Sequence, residues 1–137
     1  MSKEKRFDTW SQPNIKDGAL TQWNWMVQNL DKFILGKNTD IGAFTYINAK
    51  FGVEIRDEVQ IGSHCAIYSY SSIDNKSGKV ILEKNCRVGS HSTIMPGVTI
   101  GKNTVIGAHS FVNESIPSNV VAVGSPVSII KEIQIND

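Results

Sequence analysis

Aliphatic side chains recur every six positions along most of this chain, in the series Leu35, Ile41, Ile47, then Ile55, Ile61, Ile67, then Leu82, Val88, Ile94, then Ile100, Ile106, Val112. Extra residues around Phe51 to Glu54 and a longer insertion from Ile73 to Ile81 interrupt the series. Four residues after the aliphatic, ten of the twelve places hold a small side chain: Thr39, Thr45, Val59, Cys65, Ser71, Cys86, Ser92, Val98, Thr104 and Ser110. Glycine follows the aliphatic directly at Gly36, Gly42, Gly62, Gly89, Gly101 and Gly107. A period of six matches neither the 3.6 of a helix nor the alternation of an open sheet, so the chain must turn a corner every six residues. Three corners close a coil. The pattern therefore predicts an all-β fold, a triangular prism of about four coils with parallel strands stacked about 4.8 Å apart. The aliphatic and small residues point inward, and glycine eases the corners.

Residues 1 to 34 lie outside this repeat. From 18 to 33, Leu20, Trp23, Val27, Leu30 and Phe33 fall at spacings of three and four behind Pro13 and Asp17, which predicts one amphipathic helix. Its task would be to cap the open lower end of the prism, where backbone groups would otherwise lack partners. Trp10, Trp23 and Trp25 serve either that packing or an aromatic platform for a base or sugar. The repeat is expected to run from 35 to 117, with a loop at 68 to 81, and residues 118 to 137 form a C-terminal extension of the same single domain. Pro117 and Pro126 bracket a last extended stretch, after which residues 127 to 137 leave the prism as a short strand or helix.

The net charge is +1, from 14 basic and 13 acidic residues mixed along the chain, so nothing points to nucleic acid or an anionic membrane surface. No long apolar run is present, and the charged N-terminus lacks an apolar core, which leads us to expect a cytoplasmic protein. A narrow prism with two open ends buries little of its surface, so self-association is expected. Cys65 and Cys86 both fall on the inward register and read as packing residues rather than redox or nucleophilic groups.

The candidate chemistry sits at two places. All three histidines occupy the same position of the repeat, in Ile61-Gly62-Ser63-His64, Val88-Gly89-Ser90-His91 and Ile106-Gly107-Ala108-His109. This predicts a ladder on one outer edge. Stacked imidazoles repel one another when protonated, which favours neutral rings able to accept a proton near pH 7; the ladder could equally serve only to pack between subunits. The insertion is the second place. It is rich in hydroxyls, with Tyr70, Ser71 and Ser72, and carries Asp74, Lys76 and Lys79. Loops on rigid scaffolds carry function disproportionately, and such groups suit sugar hydroxyls and phosphates. A solvated turn would use many of the same residues.

Residues 35 to 130 resemble the hexapeptide-repeat acyltransferases. The resemblance rests on Val98-Thr99-Ile100-Gly101 through Ile106-Gly107-Ala108, followed by Ile116-Pro117-Ser118-Asn119-Val120-Val121-Ala122-Val123-Gly124-Ser125-Pro126, which looks like the terminal coil and exit of galactoside and maltose O-acetyltransferases and of bacterial sugar N-acyltransferases. It implies a left-handed parallel β-helix, a homotrimer with sites between subunits, and acetyl-CoA as co-substrate. The counterparts of Ser90, Ala108 and Lys131 line the coenzyme A groove; Asn113 stands there in place of a threonine, and Ser128 in place of an arginine. Aligned with the galactoside enzymes, their catalytic histidine would fall on Ser72, in the corner after Ile67, and their acceptor-binding aspartate on Lys50, so this chain lacks both. Ile67-Tyr68 to Ile73-Asp74, with Lys79-Val80-Ile81-Leu82 and Gly89-Ser90-His91-Ser92, is more similar to a branch that acylates amino groups of nucleotide-linked deoxysugars, in which an acid at the place of Asp74 meets the amine.

The expected activity is therefore transfer of an acetyl group from acetyl-CoA to the amine of a nucleotide-linked, dTDP- or UDP-type, amino-deoxysugar of surface polysaccharide synthesis. His64, Asp74 and His91 are the candidate catalytic residues, Tyr70, Ser71, Ser72 and Lys79 the candidate acceptor contacts, and Ser90, Gly107, Ala108, Asn113 and Lys131 the candidate coenzyme contacts. A corner N–H near Ser90 or Ser92 would stabilise the oxyanion. No metal is required. Sugar O-acetylation on the same scaffold is the alternative, and a zinc carbonic anhydrase of β-helical type is a more distant one, because here the histidines lie 27 and 18 residues apart.

Overall fold

The computed structural model describes residues 9 to 135. Three parallel faces wind around one axis. The first face stacks Met26–Gln28, Tyr46–Asn48, Ala66–Tyr68, Thr93–Ile94 and Phe111–Val112. The second stacks Phe33–Leu35, Val53–Ile55, Val80–Leu82 and Thr99–Ile100, with Ile116 bridged in parallel to Ile100 above them. The third stacks Asp40–Ile41, Gln60–Ile61, Arg87–Val88, Val105–Ile106 and Val120–Val123, and Ser128–Glu132 closes it as an antiparallel strand.

The six-residue register is the register of the fold. Ile47 pairs with Ile67, Ile67 with Ile94, and Ile94 with Val112; Leu35 pairs with Ile55, Ile55 with Leu82, and Leu82 with Ile100; Ile41 pairs with Ile61, Ile61 with Val88, and Val88 with Ile106. These side chains fill the axis, and Ile47, Ile55, Ile67, Leu82, Ile94 and Ile100 have no exposed surface. Burying each contributes on the order of 1.5–3 kcal/mol.

The small inward residues tie one coil to the next. Thr45 Oγ1 donates to the carbonyl of Gly62 at 2.9 Å and accepts from the N–H of Cys65 at 3.2 Å. Cys65 repeats the reach with its thiol, 3.3 Å from the Gly89 carbonyl, and Ser92 with its hydroxyl, 3.2 Å from the Gly107 carbonyl. Among the described residues, no buried side-chain nitrogen or oxygen lacks a partner. The glycines at this corner serve close approach: a Cβ on Gly62 would lie 2.6 Å from the backbone nitrogen of Ser90, and one on Gly89 would lie 2.5 Å from that of Ala108.

Three expectations are corrected. The prism has about five coils rather than four, because Val27 pairs with Ile47 at the bottom and Ala122 with Ile106 at the top. Residues 18 to 33 do not form a capping helix. Val27 is a fully buried rung of the first face, while Leu20 and Trp23 are 53% and 46% exposed, so the apparent helical stripe does not face one way. Asn24 and Asn29 adopt left-handed backbone, at φ 66° and 64°, and only one 3-10 turn, Leu30–Lys32, interrupts the strands. Ser71, finally, does not point into the core. The chain leaves the prism before it, and Ser69 takes the inward place, donating to the Asn48 carbonyl at 2.7 Å and accepting from the Phe51 N–H at 3.0 Å. The last segment leaves as a strand, Ser128–Glu132, after the extended stretch Val120–Val123.

Candidate active site

The corner between the third and first faces takes a left-handed residue on every coil. Asn24, Phe44, His64, His91 and His109 hold it, at φ 66°, 64°, 57°, 59° and 59°. Such a backbone costs asparagine less than other residues, and keeping histidine there on successive coils throws the imidazoles out along one edge. Because Ile61, Val88 and Ile106 pair in register, the rings three residues later stack. His64 and His91 have centroids 4.8 Å apart, His91 and His109 4.9 Å, and each pair is within 5° of parallel. Phe44 extends the ladder below His64, at 5.3 Å. All three histidines are exposed.

The insertion folds as a hairpin, with Tyr70 opposite Ser77 and Ser71 opposite Lys76. Together with the first face it encloses a cleft of about 500 Å³. Tyr46, Asn48, Tyr68 and Met95 line it from the prism, and Tyr70, Ser71, Ser72, Ile73 and Asp74 from the hairpin. Three of the four predicted acceptor contacts thus share one cleft with Asp74. The fourth does not line it: the Lys79 ammonium lies 3.6 Å from the Glu54 carboxylate. The Ser71 hydroxyl, aided by the backbone N–H of Asp74 and the Lys76 ammonium, holds the Asp74 carboxyl below the usual carboxylate range against partial desolvation. Lys76 lies 3.7 Å away.

Tyr46, Asn48 and Met95 escaped the reading of the sequence, and Tyr68 entered it only as the first residue of the loop. They flank Ile47 and Ile67 or follow Ile94 at outward places of the repeat, where polar and aromatic residues carry no periodic signal. The Tyr46 and Tyr68 rings lie 5.8 Å apart, and the Tyr46 hydroxyl bonds the Gln28 side chain.

A shallow groove of about 500 Å³ runs up the third face past Gly62, Arg87, Gly89, Val105, Gly107 and Ala108. Ser90 follows Gly89 beside the groove and lies one coil below Ala108, its carbonyl accepting from His109 N–H at 2.9 Å. Lys131 stands on the closing strand of this face, opposite Val121. Asn113 follows the Phe111–Val112 strand of the first face and is not on this sheet. The glycine column leaves backbone accessible along the groove, which suits an extended ligand bearing amides. Cys65 and Cys86 are buried and belong to the packing. Among the described residues, no group of three or more His, Cys, Asp and Glu is placed to hold a metal ion, and parallel stacked imidazoles do not converge their lone pairs on one point as a zinc site requires.

The description "Bacterial transferase hexapeptide (six repeats)" matches residues 79–114. The galactoside O-acetyltransferase of Escherichia coli is 38% identical over 122 residues, covering 77% of this chain and 59% of that protein. A galactoside acetyltransferase solved in complex with coenzyme A superposes with a TM-score of 0.73 at 31% identity, over 80% of this chain and 60% of that one. A variant of AntD, an N-acyltransferase from Bacillus cereus, solved with dTDP-4-amino-4,6-dideoxyglucose and coenzyme A, superposes at 0.59 with 31% identity, over 82% of this chain and 72% of that one. The chain spans 56% and 59% of the length of the galactoside O-acetyltransferases of Lactococcus lactis and E. coli. With its repeat register realised rung by rung and such relatives on both counts, the chain belongs to the hexapeptide-repeat family of bacterial transferases.

Proposed function

We propose that this chain is an acetyl-CoA-dependent acyltransferase that acetylates the amine of a nucleotide-linked amino-deoxysugar. The observation that carries this reading is the place of Asp74: a carboxylate at the rim of a hydroxyl-lined cleft is suited to hold a sugar ammonium. The relation to AntD, solved with an amino sugar carried on dTDP, supports the same acceptor class.

In the reaction, the deprotonated amine attacks the thioester carbonyl carbon, the carbon–sulfur bond breaks, and coenzyme A leaves as its thiol. One proton passes from the attacking nitrogen to a base, His64, His91 or Asp74, and on to the departing sulfur. A corner N–H near Ser90 or Ser92 stabilises the oxyanion. Pantetheine lies along the glycine groove of the third face, against Ser90, Gly107 and Ala108, with Lys131 near its anionic end and Asn113 reaching it from a different face.

The histidine ladder and the cleft occupy opposite edges of the first face. Tyr68 comes four residues after His64, past the left-handed corner and along the Ala66–Tyr68 strand, a span of up to roughly 13 Å. On this reading one chain's imidazoles stand away from its own cleft, and an acceptor held by one subunit meets the ladder of its neighbour. That arrangement favours a homotrimer with shared sites. Acetyl-CoA and nucleotide sugars are cytoplasmic metabolites, and the reading carries that location with it. Among the described residues, no helix is long and apolar enough to cross a membrane.

Acetylation of a sugar hydroxyl is the second reading, favoured by the galactoside O-acetyltransferases at 34% and 38% identity. A thiol-release assay with acetyl-CoA separates the two. Release with a dTDP- or UDP-linked amino sugar and not with simple glycosides supports N-acetylation; release with glycosides alone overturns it.

A further inference from the structure

Around the hairpin, the cations are almost all committed. Lys76 pairs with Asp74 at 3.7 Å, Lys79 with Glu54 at 3.6 Å, and Arg56 with Glu83 at 3.1 Å and Glu54 at 3.5 Å. Lys50 is the exception. Among the described residues it joins no ion pair, and its ammonium rests over the ring of Tyr70, 4.5 Å from the centroid, with Phe51 at 5.9 Å. Tyr70 itself borders the cleft, packed 5.7 Å from Phe51. Lys50 follows Tyr46 and Asn48, the floor of the same cleft, and its N–H is tied to the Asn48 side chain at 3.1 Å. It is exposed, so its charge is available to a ligand.

The cleft thus has a carboxylate on its hairpin rim and an unpaired ammonium beside its aromatic wall. At about 500 Å³ it exceeds the needs of one monosaccharide and lies within the range of sites for larger ligands. This charge pattern complements a dipolar ligand with a cation at one end and an anion further along. An amino sugar carried on a nucleoside diphosphate is such a ligand. We propose that Lys50 is the pyrophosphate-binding residue, held in place by the face of Tyr70, and that it sets the preference for nucleotide-linked over free sugars. The inference rests on the acceptor class proposed above and assigns the anionic half of that site.

The cation–π contact is what makes Lys50 suitable. A flexible lysine loses rotamer freedom on binding an anion, and the aromatic wall removes part of that cost in advance. Each added phosphate contact is charge-assisted and strong for its size.

The test is calorimetric binding of dTDP and UDP to the full chain, to Lys50→Met, which keeps the stem against Tyr70 and removes only the charge, and to Lys50→Arg. Melting temperatures should coincide, since the residue is exposed. The expected result is binding by the unaltered protein, a loss of tenfold or more and a shallower salt dependence in Lys50→Met, and affinity within about threefold in Lys50→Arg. Equal binding by Lys50→Met overturns the role of Lys50 and leaves the nucleotide-linked acceptor standing. Absence of nucleotide binding in a protein that acetylates free amino sugars overturns both. Lysine-dependent nucleotide binding without acetyl transfer to any amino sugar keeps the subsite and removes the amino-sugar acceptor instead.

Discussion

The imidazole of His91 lies between those of His64 and His109, with centroids 4.8 and 4.9 Å away and planes within 5° of parallel. A ring in the middle of such a stack has both faces covered, so its edge nitrogens are what it can offer to anything outside the chain.

The proposed catalytic roles predict unequal effects of replacing the three histidines. Substituting the base by alanine should lower kcat about 10²-fold or more, the usual contribution of a positioned base. His64→Ala and His91→Ala are the variants expected to show it, with His109→Ala within several-fold of the unaltered chain. Thiol-release kinetics at saturating acetyl-CoA measures all three; equal, small effects would leave the ladder a packing device.

Asp74 should respond to Ser71. The hydroxyl holds the carboxyl low, so the ionised form persists to lower pH than in an ordinary aspartate, and its charge is lost only as pH falls through that depressed value. Ser71→Ala should therefore move the Asp74 titration midpoint upward, read by carboxyl NMR, and weaken acceptor binding at pH 4.5 more than at pH 7. Asp74→Asn should cost roughly tenfold in acceptor affinity at neutral pH, in line with loss of one charged hydrogen bond.

Gly89 lies where two coils nearly touch. An added Cβ would sit 2.5 Å from the Ala108 nitrogen, backbone that cannot swing away. Gly89→Ala should destabilise the fold by about 1–3 kcal/mol or more, as overpacking does. Urea denaturation at fixed protein concentration would show it; an unchanged midpoint would mean that the coils separate more easily than their ladders suggest.

Cys86 should be inert in the folded protein. Burial, with Glu83 adding to it, pushes its thiol up to about 12, and Cys65 is raised in the same direction by burial. Neither should react with iodoacetamide at pH 8 until the chain is unfolded. Linkage gives the matching stability effect. A thiol whose folded value exceeds its unfolded one, about 8.5, contributes fully below that unfolded value, and the contribution is lost as pH rises toward 12. Cys86→Ser should flatten this alkaline loss.

Much of the fold was legible because the prism repeats one physical constraint. Ile47, Ile67 and Ile94 stack because each occupies the same inward place, and a period of six has no other economical explanation. The histidine ladder was legible for the same reason: identical positions in a parallel register must lie above one another. The bottom coil was not. Val27 stands eight residues before Leu35, as Ile47 does before Ile55, and with Leu20, Trp23 and Leu30 around it that longer step resembles helical spacing. What rejects the helix is tertiary: the Val27 strand gains a full ladder to Tyr46–Asn48, and the left-handed Asn24 and Asn29 turn the chain at its ends.

The chain's own pattern determined the parallel prism, the inward register and the edge on which the histidines stand, since these follow from local periodicity repeated many times. Tertiary structure alone decided which outward residues share a cleft and which cations are free. Tyr46, Tyr68 and Met95 meet the hairpin through stacking of separate coils, and Glu54 takes Lys79 while Lys50 is left over Tyr70. Outward side chains obey no period, so their partners are set by where the folded coils bring them.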